Sequence, residues 1–291
     1  MLARSPHAAI RKAFQLLALC FFAAVLPTFA AKYTTIDFPG AISTQVYGIN
    51  NSGAMVGVYV DTQNATHGFL LNSGAFTTID FPGAALSVAA GINNLGEIVG
   101  QYNDSSGFGH GFIMSGGQFT TIDFAGYQTY PTVIGDGGEV VGFCVDAQLN
   151  YHGCVYINGA FSILDFPNAQ ATVALGTNFK QQVVVGGFGN VNGYTFVHGF
   201  VSLNGKFQRI DFPGASSTTA FGINTMDVII GNYSLSNSAT HGFVLYKGIF
   251  RTLDFPGAVS TNPINLNDRQ VVVGWYVDKL KVQHGYAMNL L

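Results

Sequence analysis

Charge is scarce in this chain. Only 9% of its 291 residues are Asp, Glu, Lys or Arg, and 12 basic against 15 acidic side chains leave a formal charge of −3. No basic cluster occurs, so nothing can neutralise a phosphate backbone, and a nucleic-acid partner is excluded. Tryptophan occurs once, as Trp275 within a strand-like pattern, which weakens a sugar-stacking reading. Of three cysteines, Cys144 and Cys154 lie too far apart for a Cys-x-x-Cys redox motif. No apolar run reaches the roughly 20 residues that a membrane-spanning helix needs.

The longest apolar run, residues 13–26, follows Arg4, Arg11 and Lys12 and precedes Thr28-Phe29-Ala30. Positive flank, short apolar centre and small residues before a cleavage point are the marks of a secretory signal, here residues 1–30. A lipoprotein signal through Cys20 fits poorly, since Leu19 precedes it and two Phe follow. Export would leave residues 31–291 as one domain, secreted or periplasmic, with a formal charge of −6.

What the chain has instead is repetition. An Ile/Leu-Asp-Phe motif recurs at Asp37, Asp80, Asp123, Asp165, Asp211 and Asp254, spaced 43, 43, 42, 46 and 43 residues apart. A His-Gly motif recurs at His67, His110, His152, His198, His241 and His284. Each unit holds four short β patterns separated by Gly- and Asn-rich turns, the signature of a propeller blade. A β-solenoid is the rival, but it would use shorter coils and would not need matching ends. Here the ends match. Residues 33–38 form a lone fourth strand, and the chain stops after a third strand that begins at His284. The expectation is an all-β, six-bladed propeller of four-stranded blades, closed when residues 33–38 complete the last blade.

Third and fourth strands join through two-residue turns, Ser73-Gly74, Gly116-Gly117, Asn158-Gly159, Asn204-Gly205 and Lys247-Gly248. Such turns suit the positive φ of a tight hairpin. Counting outward from them sets His67 opposite Asp80, His110 opposite Asp123, His152 opposite Asp165, His198 opposite Asp211 and His241 opposite Asp254. Ring closure hands Asp37 to His284. A pair repeated six times reads as scaffold, because catalysis needs a unique constellation. Asp61, Asp104, Asp146 and Asp278 run close to the same His row and raise a metal reading, but two blades lack this carboxylate and no ligand spacing supports it. No metal and no cofactor are expected.

Cys144 and Cys154 replace an aromatic pair found in the other blades as Tyr59/Phe69, Tyr102/Phe112, Phe188/Phe200, Tyr233/Phe243 and Tyr276/Tyr286. The two positions are expected to face each other across the second and third strands, as a disulfide in an oxidising compartment or as two buried thiols.

The motifs at residues 77–84 (TTIDFPGA), 91–102 (GINNLGEIVGQY) and 110–112 (HGF) recur throughout. Together they resemble the bacterial extracellular repeat family named for its His-Ala-Phe motif, the HAF repeats, over about residues 33–291. Here the motif reads His-Gly-Phe in four units, with His152-Gly153-Cys154 and His284-Gly285-Tyr286 as variants. The resemblance implies a secreted or surface-associated repeat protein and brings no catalytic residues with it.

Function should then lie where blades differ. The loops between second and third strands vary most, and in a propeller they share a face with the fourth-to-first connections. Tyr127, Tyr130, Tyr151 and Tyr194 are extra aromatics on that side and are the candidate binding residues. The function expected is a non-catalytic binding module for a protein or glycan of the cell envelope or extracellular space, acting as a monomer. A carbohydrate-binding propeller is the alternative, and a propeller glycosidase or lyase stands further off. Such an enzyme would need paired carboxylates that break the repeat. Glu97, Glu139 and Asp227 instead read as one equivalent position at the start of the second strand, and Asp136 and Asp268 read as turn residues.

Overall fold

The computed structural model describes residues 32–190, 195–236 and 239–290. These form six four-stranded antiparallel sheets and one short 3-10 turn, Phe179–Gln181, with no α-helix among them. Five sheets take four consecutive strands. Blade 1 comprises Ser43–Ile49, Met55–Val60, Thr66–Asn72 and Ala75–Ile79. Blade 6 is assembled from both chain ends. Tyr33–Ile36 pairs antiparallel with Gln283–Asn289, placing Thr35 opposite Tyr286 and Ile36 opposite Gly285. The fold is the expected six-bladed propeller, and this exchange covers a sheet edge that would otherwise stand open. The expected signal segment, residues 1–30, lies outside the described residues.

Why these residues form blades follows from their patterns. In Ser43–Ile49 alternate side chains are buried, while Met55–Val60 is covered on both faces, as a strand between neighbours must be. The Ser73-Gly74 turn has φ of 51° and 82°, so both residues are left-handed, as a two-residue hairpin demands. Apolar clusters form between blades. Val183, Val185 and Ile210 of blade 4 pack with Ala220, Ile223, Tyr233 and Phe243 of blade 5. Buried hydroxyls fasten the connections, since Thr44 Oγ1 accepts the Phe38 N–H at 3.0 Å and Thr218 Oγ1 accepts the Phe212 N–H at 3.0 Å.

A β-bulge interrupts every first strand, between Val46 and Gly48 in blade 1 and between Ala89 and Gly91 in blade 2. Bulges bend and twist a strand, and here all six occur in the innermost strand, where curvature around the axis is greatest. The inner strands approach closely. A Cβ at Gly176 would lie 2.3 Å from the Phe221 carbonyl oxygen of the next blade. Within blades, the second-strand glycine is as constrained, for a Cβ at Gly100 would lie 1.9 Å from the Val88 carbonyl oxygen and 2.7 Å from the Phe112 ring.

The register corrects one expectation. Tyr59 stands opposite His67, and Phe69 stands opposite Gly57, so the two aromatics are diagonal neighbours. The reason lies in the turn between them. Asp61 N–H donates to the Ala65 carbonyl and Val60 pairs with Thr66, which fixes a five-residue loop. Cys144 correspondingly faces His152, and Cys154 faces Gly142. The cysteines are still bonded to each other diagonally, with Cα atoms 5.9 Å apart. Asp227 is also displaced from the expected equivalence. It takes the positive-φ turn position (60°) held by Gly53 and Gly96, one residue before the position of Glu97 and Glu139.

Two outcomes are expected. A chain beginning at residue 39 should lose cooperative thermal unfolding and associate through the bared Gln283–Asn289 edge, read by calorimetry and size-exclusion chromatography. Gly100→Ala should cost about 3 kcal/mol through overpacking, measured by urea denaturation; an unchanged midpoint would contradict the packing account.

Candidate ligand-binding site

The six His–Asp contacts come first because they hold most of the titratable groups. Nδ1 lies 2.9 Å from Asp80 at His67, 2.8 Å from Asp123 at His110 and 2.7 Å from Asp165 at His152. The distances are 3.1 Å for His198–Asp211, 2.8 Å for His241–Asp254 and 3.0 Å for His284–Asp37. In four blades Nε2 also lies near a second carboxylate, 3.4 Å from Asp61 at His67 and 3.5 Å from Asp104, Asp146 and Asp278 at His110, His152 and His284.

Each of those second carboxylates closes its own loop. Asp61 Oδ1 accepts N–H groups from Gln63 and Ala65, each at 2.8 Å. The His ring stacks on the second-strand aromatic, as His67 does on Tyr59 (5.0 Å), and Tyr59 stacks in turn on Phe38 (3.7 Å). The imidazole is thereby fixed on three sides and works as a cross-link. Among the described residues no group of three or more His, Cys, Asp or Glu side chains is arranged to hold a metal ion.

Partial burial opposes protonation of His67, His110 and His152, but the flanking carboxylates outweigh it and raise all three above the ordinary 6.5. Backbone N–H groups, chiefly from Ala65 and Val282, hold Asp61 and Asp278 below 3.8. Hydrogen bonds led by the Ser106 hydroxyl bring Asp104 to about 2. Burial works against ionisation of Asp146, yet bonds from Asn150 and Gln148 hold it low as well.

The aromatics of the loop face fall at the boundary of blades 2 and 3. Tyr127 stacks on Phe124 at 4.5 Å and 7°, filling the place that Tyr59 takes against Phe38 in blade 1 and that Cys144 leaves open here. Tyr130 stacks on Phe143 at 4.8 Å, and its hydroxyl donates to Gln128 Oε1 at 2.8 Å. Tyr151 lies against the other side of Phe143 at 5.8 Å. These three are half-buried packing elements in the structure. Tyr194 lies outside the described residues.

The concave site is on the opposite face, where first strands turn into second strands. A cavity of about 320 Å³ is lined by equivalent residues of all six blades, so it sits on the propeller axis. Its floor is apolar in five blades, with Ile49, Ile92, Ile134, Ile223 and Leu266, and carries Thr177 in blade 4.

Above the floor runs a belt of asparagines. Asn50 Nδ2 donates to the Asn93 carbonyl at 3.1 Å, and Asn93 Nδ2 donates to the Gly135 carbonyl at 3.0 Å. Asn178 donates to Asn224 at 3.2 Å, Asn224 to Asn267 at 3.2 Å, and Asn267 to Asn50 at 3.0 Å. The amide oxygen of each regular member closes its own turn, as Asn50 Oδ1 does by accepting the Ser52 and Ala54 N–H groups at 3.0 Å. An outer tier repeats the linkage. Asn51 N–H donates to Asn94 Oδ1 at 2.9 Å, and Asn94 N–H donates to Asp136 Oδ1 at 2.9 Å. Asp268 Oδ1 accepts from the Thr225 backbone at 3.0 Å and hydroxyl at 2.6 Å, and Asp268 N–H donates to Asn51 Oδ1 at 2.9 Å. Burial resists ionisation of Asp268, but these bonds and the charge of Lys180 keep it below the ordinary carboxylate value.

The belt breaks between blades 3 and 4. Gly135 stands where an asparagine would be, and the Glu139 carboxylate and Phe179 ring fill its side-chain space; a Cβ there would meet them at 2.8 and 2.5 Å. In blade 4 the turn carries one extra residue and winds into the 3-10 turn, so the left-handed residue is Gln182 (φ 55°). The Asp136, Glu139 and Lys180 side chains therefore join Asp268 at the wall of the cavity. Sequence reasoning passed over this site because it treated the repeat as scaffold. The visible signal was the change from Asn-Asn to Gly135-Asp136 and to Asn178-Phe179-Lys180.

Fold and site define a six-bladed propeller with an asymmetric polar cavity on its axis. Among solved structures, the chain is similar to a gluconolactonase from Xanthomonas campestris, at 10% identity, TM-score 0.55 and 90% coverage of both chains. It is also similar to AofleA from Arthrobotrys oligospora (12% identity, TM-score 0.56, covering 89% of this chain and 87% of that one). Aleuria aurantia lectin in complex with alpha-methyl-L-fucoside matches at 10% identity and TM-score 0.54, covering 86% and 93%. Likeness at such identity shows the fold alone. No family model and no curated protein matches the sequence.

The histidine cross-links predict a pH dependence. The folded-state pKa values of His67, His110 and His152 are raised, so the contribution of these three is complete below 6.5 and is lost as pH rises through the raised values. The melting temperature should fall as pH goes from about 5 to about 8, and Asp80→Asn, Asp123→Asn and Asp165→Asn together should flatten that fall. Acid loss should set in only as pH drops below 3.8, through the lowered values of Asp61, Asp104, Asp146 and Asp278.

Proposed function

We propose that this chain is an exported, non-catalytic binding propeller, related to the HAF repeat proteins, that takes its ligand in the axial cavity. The observation that carries the reading is the cavity itself, a recess of about 320 Å³ with an apolar floor and a polar wall that departs from six-fold symmetry on one side. A recess that offers polar and apolar groups in comparable measure suits a small polar molecule.

A non-catalytic role is supported by how the ionisable groups are used. The His–Asp pairs are cross-links, and the Asp136 and Asp268 carboxylates accept hydrogen bonds that hold neighbouring blades together. Export is supported by the signal pattern in residues 1–30 and by the Cys144–Cys154 disulfide, which suits an oxidising compartment. Among the described residues no helix is long and apolar enough to cross a membrane. The partner is a glycan or protein of the cell envelope or extracellular space.

The test separates the two faces. Residues 31–291 are passed over envelope fractions and a polysaccharide panel, beside Asn94→Trp, which crowds the cavity mouth, and Tyr130→Ala, which opens the loop face. Retention should drop by roughly tenfold or more, about 1.4 kcal/mol, with Asn94→Trp and stay unchanged with Tyr130→Ala. The reverse result would move the site to the loop face and favour the lectin-like alternative.

A further inference from the structure

Methionine is sparse in this chain, and its placement is uneven. Four of the five methionines lie among the described residues. Met288 is only 2% exposed, and Met55 and Met114 are half-buried against the apolar clusters around Val46 and Ile79. Of these four only Met226 stands out in water, 41% exposed on the turn between the first and second strands of blade 5.

The turn beneath it is held firmly. Asn224 Oδ1 accepts the Met226 and Val228 N–H groups at 3.0 and 3.1 Å, and Thr225 is bound to Asp268 of blade 6. The Met226 side chain therefore stands on a fixed backbone at the seam of blades 5 and 6, beside the cavity that Thr225 and Asp268 line.

Across the seam, Gln270 Nε2 donates to the Met226 sulfur at 3.7 Å. The Gln270 backbone is also fixed, its N–H donating to the Asn267 carbonyl at 3.1 Å and its carbonyl accepting the Leu290 N–H at 3.0 Å. A primary amide is a good donor and a thioether a weak acceptor, so the two are poorly matched. An oxygen on that sulfur would match, because a sulfoxide is polar where the thioether is apolar. The Gln270 amide already faces the place, and a small withdrawal of its side chain makes the room.

We propose that Met226 is a modification site, oxidised to the sulfoxide by hydrogen peroxide ahead of the other methionines, and that the new oxygen accepts the Gln270 amide across the seam. A sulfur lone pair takes one peroxide oxygen. The S–O bond forms as the O–O bond breaks, and the proton on the transferred oxygen passes to the departing hydroxide, which leaves as water. Sulfur is oxidised by two electrons and the peroxide is reduced by two, so no protein group has to supply either. In a buried methionine the same step would push a polar oxygen into an apolar cluster. At Met226 it strengthens a link between blades. The inference is independent of what the axial cavity holds.

Residues 31–291 are treated with limiting hydrogen peroxide, and oxidation at each methionine is followed by peptide mass spectrometry. Met226 should oxidise at least about fivefold faster than Met55, Met114 or Met288, and Met226→Leu should abolish the fast phase with an unchanged circular dichroism spectrum. Protein oxidised at Met226 alone should melt about 1–3 °C higher than untreated protein. Gln270→Asn keeps a residue that tolerates the φ of 61° but has an amide too short to reach the sulfur. In that variant Met226 should still oxidise first, and the rise in melting temperature should vanish.

Each variant is compared with its own untreated form, so a general loss of stability does not mimic the effect. Met55 or Met114 oxidising as fast as Met226 would overturn the site. A lower melting temperature on oxidation, or an equal rise in Gln270→Asn, would overturn the part given to Gln270.

Discussion

A belted asparagine performs two tasks at once, and the ring depends on that economy. Its amide oxygen closes the turn at the inner end of its own blade, and its amide nitrogen reaches the backbone carbonyl of the next. The tip of each turn is exposed, but the asparagine at its base is buried near the axis, so the polar groups of that side chain must find partners within the protein. A short side chain with one acceptor end and one donor end meets both needs, whereas aspartate would lack the donor and serine the reach. Wherever the asparagine persists, the geometry repeats; where it is lost at Gly135 or loses its turn at Asn178, the symmetry of the axis is lost too.

Much of the fold was legible because its signals are local. Turn pairs such as Asn204-Gly205 fix a hairpin register by counting, and the unmatched strand at residues 33–38 finds its partner by elimination. The contact between second and third strands was less legible, since a five-residue loop can pair its strands in more than one register. That is why Tyr59 and Phe69 were expected face to face but stand diagonally. Tyr127 misled for another reason. Read alone it is a spare aromatic on a loop, yet its ring takes the place that the change to Cys144 leaves beside Phe124. Two positions seventeen residues apart had changed together, and only the packing shows that they share one space. The axial cavity was hidden in plain view, because residues such as Asp136 are turn formers and cavity walls at once.

The disulfide and the aromatic stacks illustrate alternative solutions to one packing demand. Five blades fill the space beneath the Asp-Phe connection with a planar ring, as Phe166 on Phe188 does at 3.7 Å. Blade 3 substitutes a covalent link between its second and third strands and borrows a ring from the following connection. Departures from the repeat gather in blades 3 and 4 on both faces of the ring. Elsewhere the blades are close to interchangeable.

Closure by the first strand has a kinetic side. The hydrogen-bonded residues Asp37 and His284 are 247 positions apart, and joining ends so distant in an unstructured chain carries a loop entropy on the order of 5 kcal/mol. Blades 1 to 5 need no such loop, since each is made of consecutive strands. They can form in turn and bring the ends close before those ends must meet. The opening strand then waits, unpaired, while the rest of the molecule is built. Until the last seven-residue strand is available, the protein is an open arc whose terminal sheets each expose an edge, and whose axis is not yet enclosed. Enclosure of the axis thus depends on the pairing of Tyr33–Ile36 with Gln283–Asn289.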